Sequence, residues 1–345
     1  MKKTIAAIFL VLIPGVIMAQ EDLPGTTYTP VEMTFKAESL LTQYWAMPTL
    51  VNPAASGDTD YVRIRGGARL ELLGSDESPK YFMGTADAPF KFLGKRIGAG
   101  IVAYGQNYGL FRNYLLGIQG SYKLNALKGQ WSLGVQIGYY HSTFKGSDMK
   151  LTLGGNEGNG EDEDPDMPES YYPTHDVQGG VFDLGIGLKY EHKNFNVGLS
   201  MLHLTNPEMK LSRGGDSSDL QYIKSRRPAT LYFEGGGNIG INNTLFTLHP
   251  SMVLASDFKD FQGLIEMRAT YNRKFTFGID YRWNEAAGLF AGLILKDFYV
   301  GYSWEYNYRE RPRGSTGNHE LVLGYQFKMD MGGNQKYSRR SIRLM

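Results

Sequence analysis

The stretch Phe298–Tyr308, FYVGYSWEYNY, alternates between two kinds of side chain. One face carries Phe298, Val300, Tyr302, Trp304, Tyr306 and Tyr308, and the other carries Tyr299, Gly301, Ser303, Glu305 and Asn307. Such a period of two predicts a β-strand with two different faces. In a transmembrane β-barrel the apolar face meets lipid and the polar face lines the lumen, so the stretch predicts a strand of such a barrel.

The same alternation recurs along most of the chain, in about fourteen segments. They are 61–72, 80–90, 96–105, 111–124, 130–144, 179–191, 194–204, 228–240, 244–255, 260–272, 274–284, 287–296, 297–308 and 317–328. If the first strand runs outward, the two longest connections, 145–178 and 205–227, lie outside the cell and short turns lie in the periplasm, as is typical of these barrels. The alternative is a soluble sandwich or barrel with its apolar face inward. The long segments and their aromatic face favour an all-β fold with one outer-membrane barrel of about 14 antiparallel strands.

Composition and the first residues indicate export. The chain has 345 residues, with 43 glycines, 23 tyrosines, no cysteine and a net charge of +1, so nothing indicates binding to nucleic acid. Lys2 and Lys3 precede a short apolar run that ends before Ala19, which predicts a signal peptide over residues 1–19. The run is shorter than the roughly 20 residues of a membrane-spanning helix. The predicted location is the outer membrane of a Gram-negative cell, in contact with outer-membrane lipid.

The stretch Thr42–Gly57, TQYWAMPTLVNPAASG, precedes the first long strand. Its apolar residues are unusual for a linker, and Pro48 and Pro53 prevent ordinary strand pairing. Its Asn-Pro-Ala triplet occurs in water channels, but there it needs paired transmembrane half-helices, which this chain lacks. We therefore predict a hatch segment (residues 20–60) that enters from the periplasmic mouth and plugs the lumen. Its candidate residues are Gln43, Tyr44, Trp45, Asn52, Pro53, Ala54 and Gly57.

Charged residues recur on the face that the alternation turns toward the lumen. They include Arg63, Arg65, Arg69 and Glu71 near the first strand and Glu320 on the last one. Such charges either line a channel or form an ion-pair network that anchors a plug. The second interpretation is favoured because the hatch segment is available, and we expect Arg63, Arg65 and Glu320 to satisfy its backbone groups.

No arrangement of residues predicts catalysis or a cofactor, because the six histidines are scattered without metal-ligand spacing. In the acidic stretch 154–178, Asp162, Asp164 and Asp166 have the spacing of a calcium loop. Met167 and Pro173 stand where an EF-hand needs Gly and Glu, so that motif is excluded. A looser surface Ca²⁺ site and a solvated acidic loop both remain open.

Three places in the sequence resemble the PorP/SprF family of outer-membrane proteins of the Bacteroidota type IX secretion system. The first is Gln43-Tyr44 followed by Asn52-Pro53-Ala54-Ala55-Ser56-Gly57, and the second is the last strand pattern, residues 315–327. The third is the basic tail, residues 329–345. The chain departs from the family in lacking an Asp-Pro-x-Phe/Tyr-x-Gln opening and in its long acidic insert.

The resemblance implies a non-enzymatic role in type IX secretion and gliding, in which the protein helps to export or anchor cargo adhesins that carry a type IX C-terminal domain. It implies periplasmic partners as well, either peptidoglycan-binding proteins or the lipoprotein ring of the machinery. On this view Asp162, Asp164, Asp166, Tyr171 and Tyr172 belong to a cargo-facing loop. Arg339, Arg340 and Arg343 of the tail form a periplasmic contact after a barrel over residues 61–328. The competing hypotheses are a hydrophobic-substrate transporter resembling the long-chain fatty-acid channels, and a general porin.

Overall fold

The structure is a computed structural model that describes residues 31–34, 38–75, 78–148, 172–213, 222–309 and 312–329. Its strands are β1 Val31–Thr34, β2 Tyr61–Leu70, β3 Lys80–Phe92, β4 Lys95–Tyr108, β5 Phe111–Ala126, β6 Gly129–Lys145, β7 Asp176–Glu191, β8 Phe195–Leu202, β9 Glu208–Leu211, β10 Ile223–Arg226, β11 Thr230–Gly237, β12 Ile239–Gly240, β13 Phe246–Ser256, β14 Phe261–Tyr271, β15 Phe275–Arg282, β16 Ala286–Leu295, β17 Phe298–Asn307 and β18 Asn318–Lys328. Short 3-10 helices cover Tyr44–Ala46, Pro48–Leu50, Pro53–Ala55 and Gly146–Asp148. None of the helices in these ranges is long and apolar enough to cross a membrane.

Fourteen antiparallel strands close into one barrel, as the sequence predicts. β11 and β12 together form one of them, since both pair with β13. The barrel closes where β18 pairs with β2, from Lys328 opposite Tyr61 to His319 opposite Leu70. Each predicted segment coincides with one of these strands, and only the ends differ by a few residues.

The two faces of the wall differ as the alternation requires. In β6, Leu133, Val135 and Ile137 point outward and are more than half exposed, whereas Ser132 and Gln136 point inward and are buried. A soluble barrel would show the opposite distribution, because its apolar side chains would fill its core. The outward apolar surface is therefore the surface that meets lipid.

The two ends of the barrel differ in their connections. At one end, named here the short-turn end, Leu93–Gly94 and Leu127–Lys128 form two-residue hairpin turns with positive φ at both positions. Such turns match the twist of the strands they join. The opposite end, named the long-loop end, carries the connections 146–175 and 203–229. Because outer-membrane barrels place long loops outside, the long-loop end faces the cell exterior.

A second, three-stranded sheet of short strands lies at the long-loop end. β1 pairs in parallel with β10, and β10 pairs antiparallel with β9, which contacts the end of β7 through a bridge between Gln178 and Ser212. The sequence did not predict this sheet. Each of its strands has four residues, too few for a period of two to stand out from a loop.

The route of the N-terminal chain also differs from the prediction. β1 and Glu38 lie at the long-loop end, where Glu38 contacts Arg227. The chain then runs through the barrel interior and reaches the short-turn end, where Asp60 contacts Arg96 just before β2 begins. The prediction that this segment enters the barrel from the periplasmic mouth was therefore wrong. The position of the segment before β2 determines only where it leaves the interior, and the pairing of β1 with β10 determines where it enters.

Candidate functional site

Residues 40–59, named here the interior segment, lie inside the barrel. Its three 3-10 helices follow one another closely, and Pro48 and Pro53 each occupy the first position of a helix, where a missing N–H costs nothing. Thr42, Gln43, Asn52 and Ala54 are completely buried. An irregular backbone in such a place needs hydrogen-bond partners, since each unsatisfied buried group costs about 1–3 kcal/mol.

Inward-facing side chains of the barrel supply such partners, and the following contacts satisfy nine backbone groups. The donors are Arg282 Nη2 to Leu40 O (2.8 Å), Gln119 Nε2 to Thr49 O (2.7 Å), Ser200 Oγ to Val51 O (2.6 Å), Lys123 Nζ to Ala54 O (2.7 Å), Arg63 Nη2 to Ala55 O (3.1 Å) and Ser121 Oγ to Ser56 O (2.7 Å). Glu320 accepts from the N–H groups of Thr42 and Gln43, and Asp87 accepts from that of Gly57, all at 2.8 Å. The wall is thus chemically matched to the path of this segment.

An ion-pair network surrounds the part of the interior segment that lies nearest the long-loop end. Arg69 lies 2.6 Å from Glu305, 3.4 Å from Glu320 and 2.9 Å from Glu71. Arg282 lies 3.0 Å from the same Glu305. Buried charges of this kind are tolerated only when they are paired and hydrogen-bonded, and Thr42 Oγ1 completes the set by donating to Glu305 at 2.8 Å. The segment is therefore part of the network.

A second network lies near the short-turn end. Arg63 contacts Asp87 through two hydrogen bonds, at 2.7 and 3.0 Å, and contacts Asp58 at 2.8 Å. Lys189 also contacts Asp58. Bidentate arginine–carboxylate contacts fix the relative orientation of the two side chains as well as their distance. They determine where the chain leaves the interior and enters β2.

Trp45 packs against an aromatic and cationic surface of the wall. Its ring lies 5.5 Å from Tyr299 in an edge-on arrangement and 6.5 Å from Phe290, and the guanidinium carbon of Arg268 lies 3.8 Å from the ring centre. Cation–π contacts gain strength when they are shielded from water. Next to it, Gln43 Oε1 accepts a hydrogen bond from the Tyr299 hydroxyl at 2.5 Å, and Tyr44 is almost completely buried.

The Asn-Pro-Ala triplet forms the N-cap and the first two residues of the 3-10 helix Pro53–Ala55. Asn52 Oδ1 accepts from the N–H of Ala54 at 2.9 Å, and its Nδ2 donates to Leu188 O at 3.2 Å. The wall that faces the triplet has glycines at the contact positions. A Cβ added at Gly134 would lie 2.2 Å from Ala54 N, and one at Gly187 would lie 2.1 Å from Asn52 Oδ1. These inward glycines make room for the triplet.

Two predicted lumen charges behave differently from the others. Arg65 donates to Ile64 O at 3.3 Å and to Tyr325 O at 3.1 Å, both in the wall, so it does not satisfy the backbone of the interior segment as expected. Glu71 lies just beyond β2, where it accepts from Ser39 Oγ and Arg69 Nε. Five residues of the site were not predicted from the sequence: Asp58, Asp87, Gln119, Lys123 and Lys189. The last four occupy inward positions of their strands, and that position was the available signal.

Several predicted residues lie outside the described residues. They are Asp162, Asp164, Asp166, Tyr171, Arg339, Arg340, Arg343 and the predicted signal peptide, residues 1–19. Tyr172 is described; it is 39% exposed, and its ring lies 6.0 Å from that of Phe144. Within the described ranges, no group of three or more His, Asp or Glu residues is arranged to bind a metal ion.

Comparison with family models decides the family. The model described as type IX secretion system membrane protein PorP/SprF matches residues 35–325, which include the interior segment and almost all of the barrel. The chain belongs to the PorP/SprF family. It is accordingly an outer-membrane component of type IX secretion. No curated protein matches this PorP/SprF sequence.

Solved structures with a similar fold are outer-membrane barrels. The toluene transporter TbuX of Ralstonia pickettii is 14% identical, with 82% of this chain and 93% of that chain covered and a TM-score of 0.48. A FadL homologue of Pseudomonas aeruginosa is 11% identical, with 80% and 92% covered and a TM-score of 0.48. The Pseudomonas putida toluene transporter TodX is 10% identical, with 86% and 99% covered and a TM-score of 0.46. These values are too low to bear on function.

Proposed function

We propose that this PorP/SprF protein is a closed barrel that helps to export or anchor cargo adhesins at the cell surface and contacts periplasmic parts of the secretion and gliding machinery. The observation that carries the proposal is the interior segment, whose buried backbone is hydrogen-bonded to the wall from Leu40 to Gly57. A protein whose interior is occupied in this way acts through its surfaces and not by diffusion of solutes.

The same observation argues against the two alternatives. A general porin needs a continuous water path through the barrel, and the interior segment stands in that path. A hydrophobic-substrate transporter needs an apolar path along the wall. Here the wall facing the segment carries Arg69, Gln119, Lys123 and Glu305. Its apolar side chains, such as Met83 and Leu202, are buried in one cluster with Met47 and Val51 of the segment, so they do not line an open path.

The long-loop end supplies the proposed cargo surface. The sheet of β1, β10 and β9 lies there, and so does Tyr172, the described end of the connection whose sequence contains Asp162, Asp164, Asp166 and Tyr171. β1 forms one edge of this sheet, and an exposed strand edge offers backbone groups to a partner strand. A cargo domain would bind at this edge, and a Ca²⁺ ion on the acidic residues would strengthen the loop without taking part in any reaction.

The short-turn end supplies the proposed periplasmic contact. β18 ends there at Lys328, opposite Tyr61 at the start of β2. The residues that follow include Arg339, Arg340 and Arg343, which would pair with acidic groups of a peptidoglycan-binding protein or of the lipoprotein ring.

Purification of a tagged protein from native membranes tests the proposal. We expect an adhesin with a type IX C-terminal domain and at least one periplasmic component to co-purify. Substitution of Arg339, Arg340 and Arg343 by Gln should remove the periplasmic component and leave the adhesin bound. Recovery of the folded barrel without adhesin or secretion components would refute the proposed function.

A further inference from the structure

The lipid-facing wall has a groove near the long-loop end, formed by β3, β4, β5 and β6. Its volume is about 590 Å³. Gly84, Ala103 and Gly105 form its floor, and Phe82, Tyr114 and Tyr139 form its sides. The volume lies within the roughly 300–1,000 Å³ of ordinary ligand sites.

Strand register explains the shape of this groove. Gly105 on β4 stands between Phe82 on β3 and Tyr114 on β5, its cross-strand partners. In the next row toward the short-turn end, Ala103 stands between Gly84 and Leu116. Small residues in the middle of large ones leave a depression. Phe82 and Tyr114 are 50% and 52% exposed, so their apolar surface remains available to a ligand.

A polar row with two cations borders the groove on the side of the long-loop end. Asn107, one outward position beyond Gly105, pairs with Lys80 on β3 and with Arg112 on β5. Arg112 Nη1 donates to Gly109 O at 2.7 Å and to Phe111 O at 3.0 Å, which orients its guanidinium at this rim. Thr143 on β6 continues the row, which contains two cations and no anion.

We propose that the groove binds an acyl chain of a phosphorylated outer-leaflet glycolipid, and that its phosphate contacts Lys80 and Arg112. The long-loop end faces the exterior, so this rim lies at the level of the outer-leaflet head groups. Arginine is well suited to phosphate because its donors match the phosphate oxygens, and basic pockets on membrane proteins bind anionic lipid head groups. The apolar floor and the aromatic sides would thus contact the acyl chain, and the cationic rim above them would contact the phosphate.

A second depression of the same wall provides a contrast. It lies between β11 and β15, has a volume of about 490 Å³, and is lined on its outward side by Gly235, Met252, Ile265 and Tyr281. These four residues form one continuous cross-strand row without a charged member. This depression can accept any apolar chain, whereas the first one also selects a phosphate.

Native mass spectrometry in detergent, with bisphosphorylated lipid A as the probe, tests the proposal. We expect one lipid A per barrel in the unaltered protein. The double substitution Lys80→Gln with Arg112→Gln should weaken binding by about tenfold or more, as loss of charge-assisted contacts would. Gly105→Phe, which fills the groove, should weaken it similarly; an added Cβ there meets Tyr114 only at 3.4 Å.

Two variants serve as matched controls. Gly235→Phe fills the second depression, and Lys296→Gln removes an exposed cation at the short-turn end; neither should change lipid A binding. Dephosphorylated lipid A should bind the unaltered protein about tenfold more weakly. Equal binding by the Lys80 and Arg112 double variant, or equally tight binding of phosphatidylglycerol, would overturn the proposal. Both outcomes can be scored without Gly105→Phe if that variant does not fold.

Discussion

Arg69 of β2 and Glu305 of β17 form an ion pair inside the barrel, with Nη2 and Oε2 2.6 Å apart and each side chain 1% exposed. The same carboxylate contacts Arg282 of β15 and Thr42 of the interior segment. Glu305 therefore connects three wall strands to the segment inside them. Removal of this one carboxylate would leave two buried guanidinium groups without their closest anion.

The first prediction concerns this carboxylate. Glu305→Ala should lower the free energy of unfolding by about 3–5 kcal/mol, since one partner of a buried ion pair is removed and the other stays buried. Thermal unfolding in detergent, followed by circular dichroism, measures the change. Glu285→Ala is the matched control: this side chain is 42% exposed and 3.7 Å from Arg282, so its effect should stay below about 1 kcal/mol. Equal unfolding temperatures for both variants would contradict the role given to Glu305.

The second prediction concerns the glycines of the wall that pack against the Asn-Pro-Ala triplet. Gly134→Val should displace the 3-10 helix Pro53–Ala55 and destabilise the protein by about 1–3 kcal/mol, the usual cost of overpacking. Gly120→Val is the control, because nothing lies within 4 Å of a Cβ added there. Denaturant unfolding compares the two. If they are equally stable, the triplet does not pack on Gly134.

The sequence predicts the wall of the barrel far better than its interior. The alternation in segments such as Phe298–Tyr308 directly reflects lipid on one side, so strand number and facing follow from it. It also marks Glu305 and Lys123 as inward-facing. It does not reveal that Lys123 donates to Ala54 O or that Gly134 lies against Ala54, because these contacts join residues far apart in the chain. The direction in which the interior segment runs could not be predicted either, since four-residue strands such as β1 are too short to show a period of two.

The third prediction concerns pH and the long-loop end. His203 Nδ1 lies 2.8 Å from Asp183, and Nε2 lies 3.5 Å from Glu38. Burial opposes protonation of His203, but the two carboxylates outweigh it and raise its pKa above the ordinary value. A raised pKa stabilises the folded protein below the unfolded-state pKa of about 6.5, and this contribution is lost as pH rises through the folded-state pKa.

The unfolding temperature should therefore differ more between the unaltered protein and His203→Gln at about pH 6 than at about pH 9. Differential scanning calorimetry at both pH values measures this. Substitution of His192, a half-buried histidine at the short-turn end, by Gln is the control and should change the unfolding temperature little. A His203→Gln difference that is independent of pH would show that the charge of His203 does not contribute.

The fourth prediction concerns the route of the N-terminal chain. The sequence has no cysteine, so a single introduced thiol can be labelled without background. Glu32→Cys lies in β1 at a side chain that is 77% exposed, and it should react with a membrane-impermeant maleimide on intact cells. Lys296→Cys at the short-turn end should react only after the outer membrane is permeabilised. The reverse pattern would mean that the barrel is inserted in the opposite direction or that β1 lies in the periplasm.

The central claim is that the interior segment closes the barrel, and single-channel recording in planar bilayers tests it most directly. The purified, unaltered protein should show no steady ion conductance. Deletion of Gln43–Gly57 should produce conductance if the shortened barrel still folds, and a marked loss of stability if it does not. Steady conductance from the folded, unaltered protein would contradict the account.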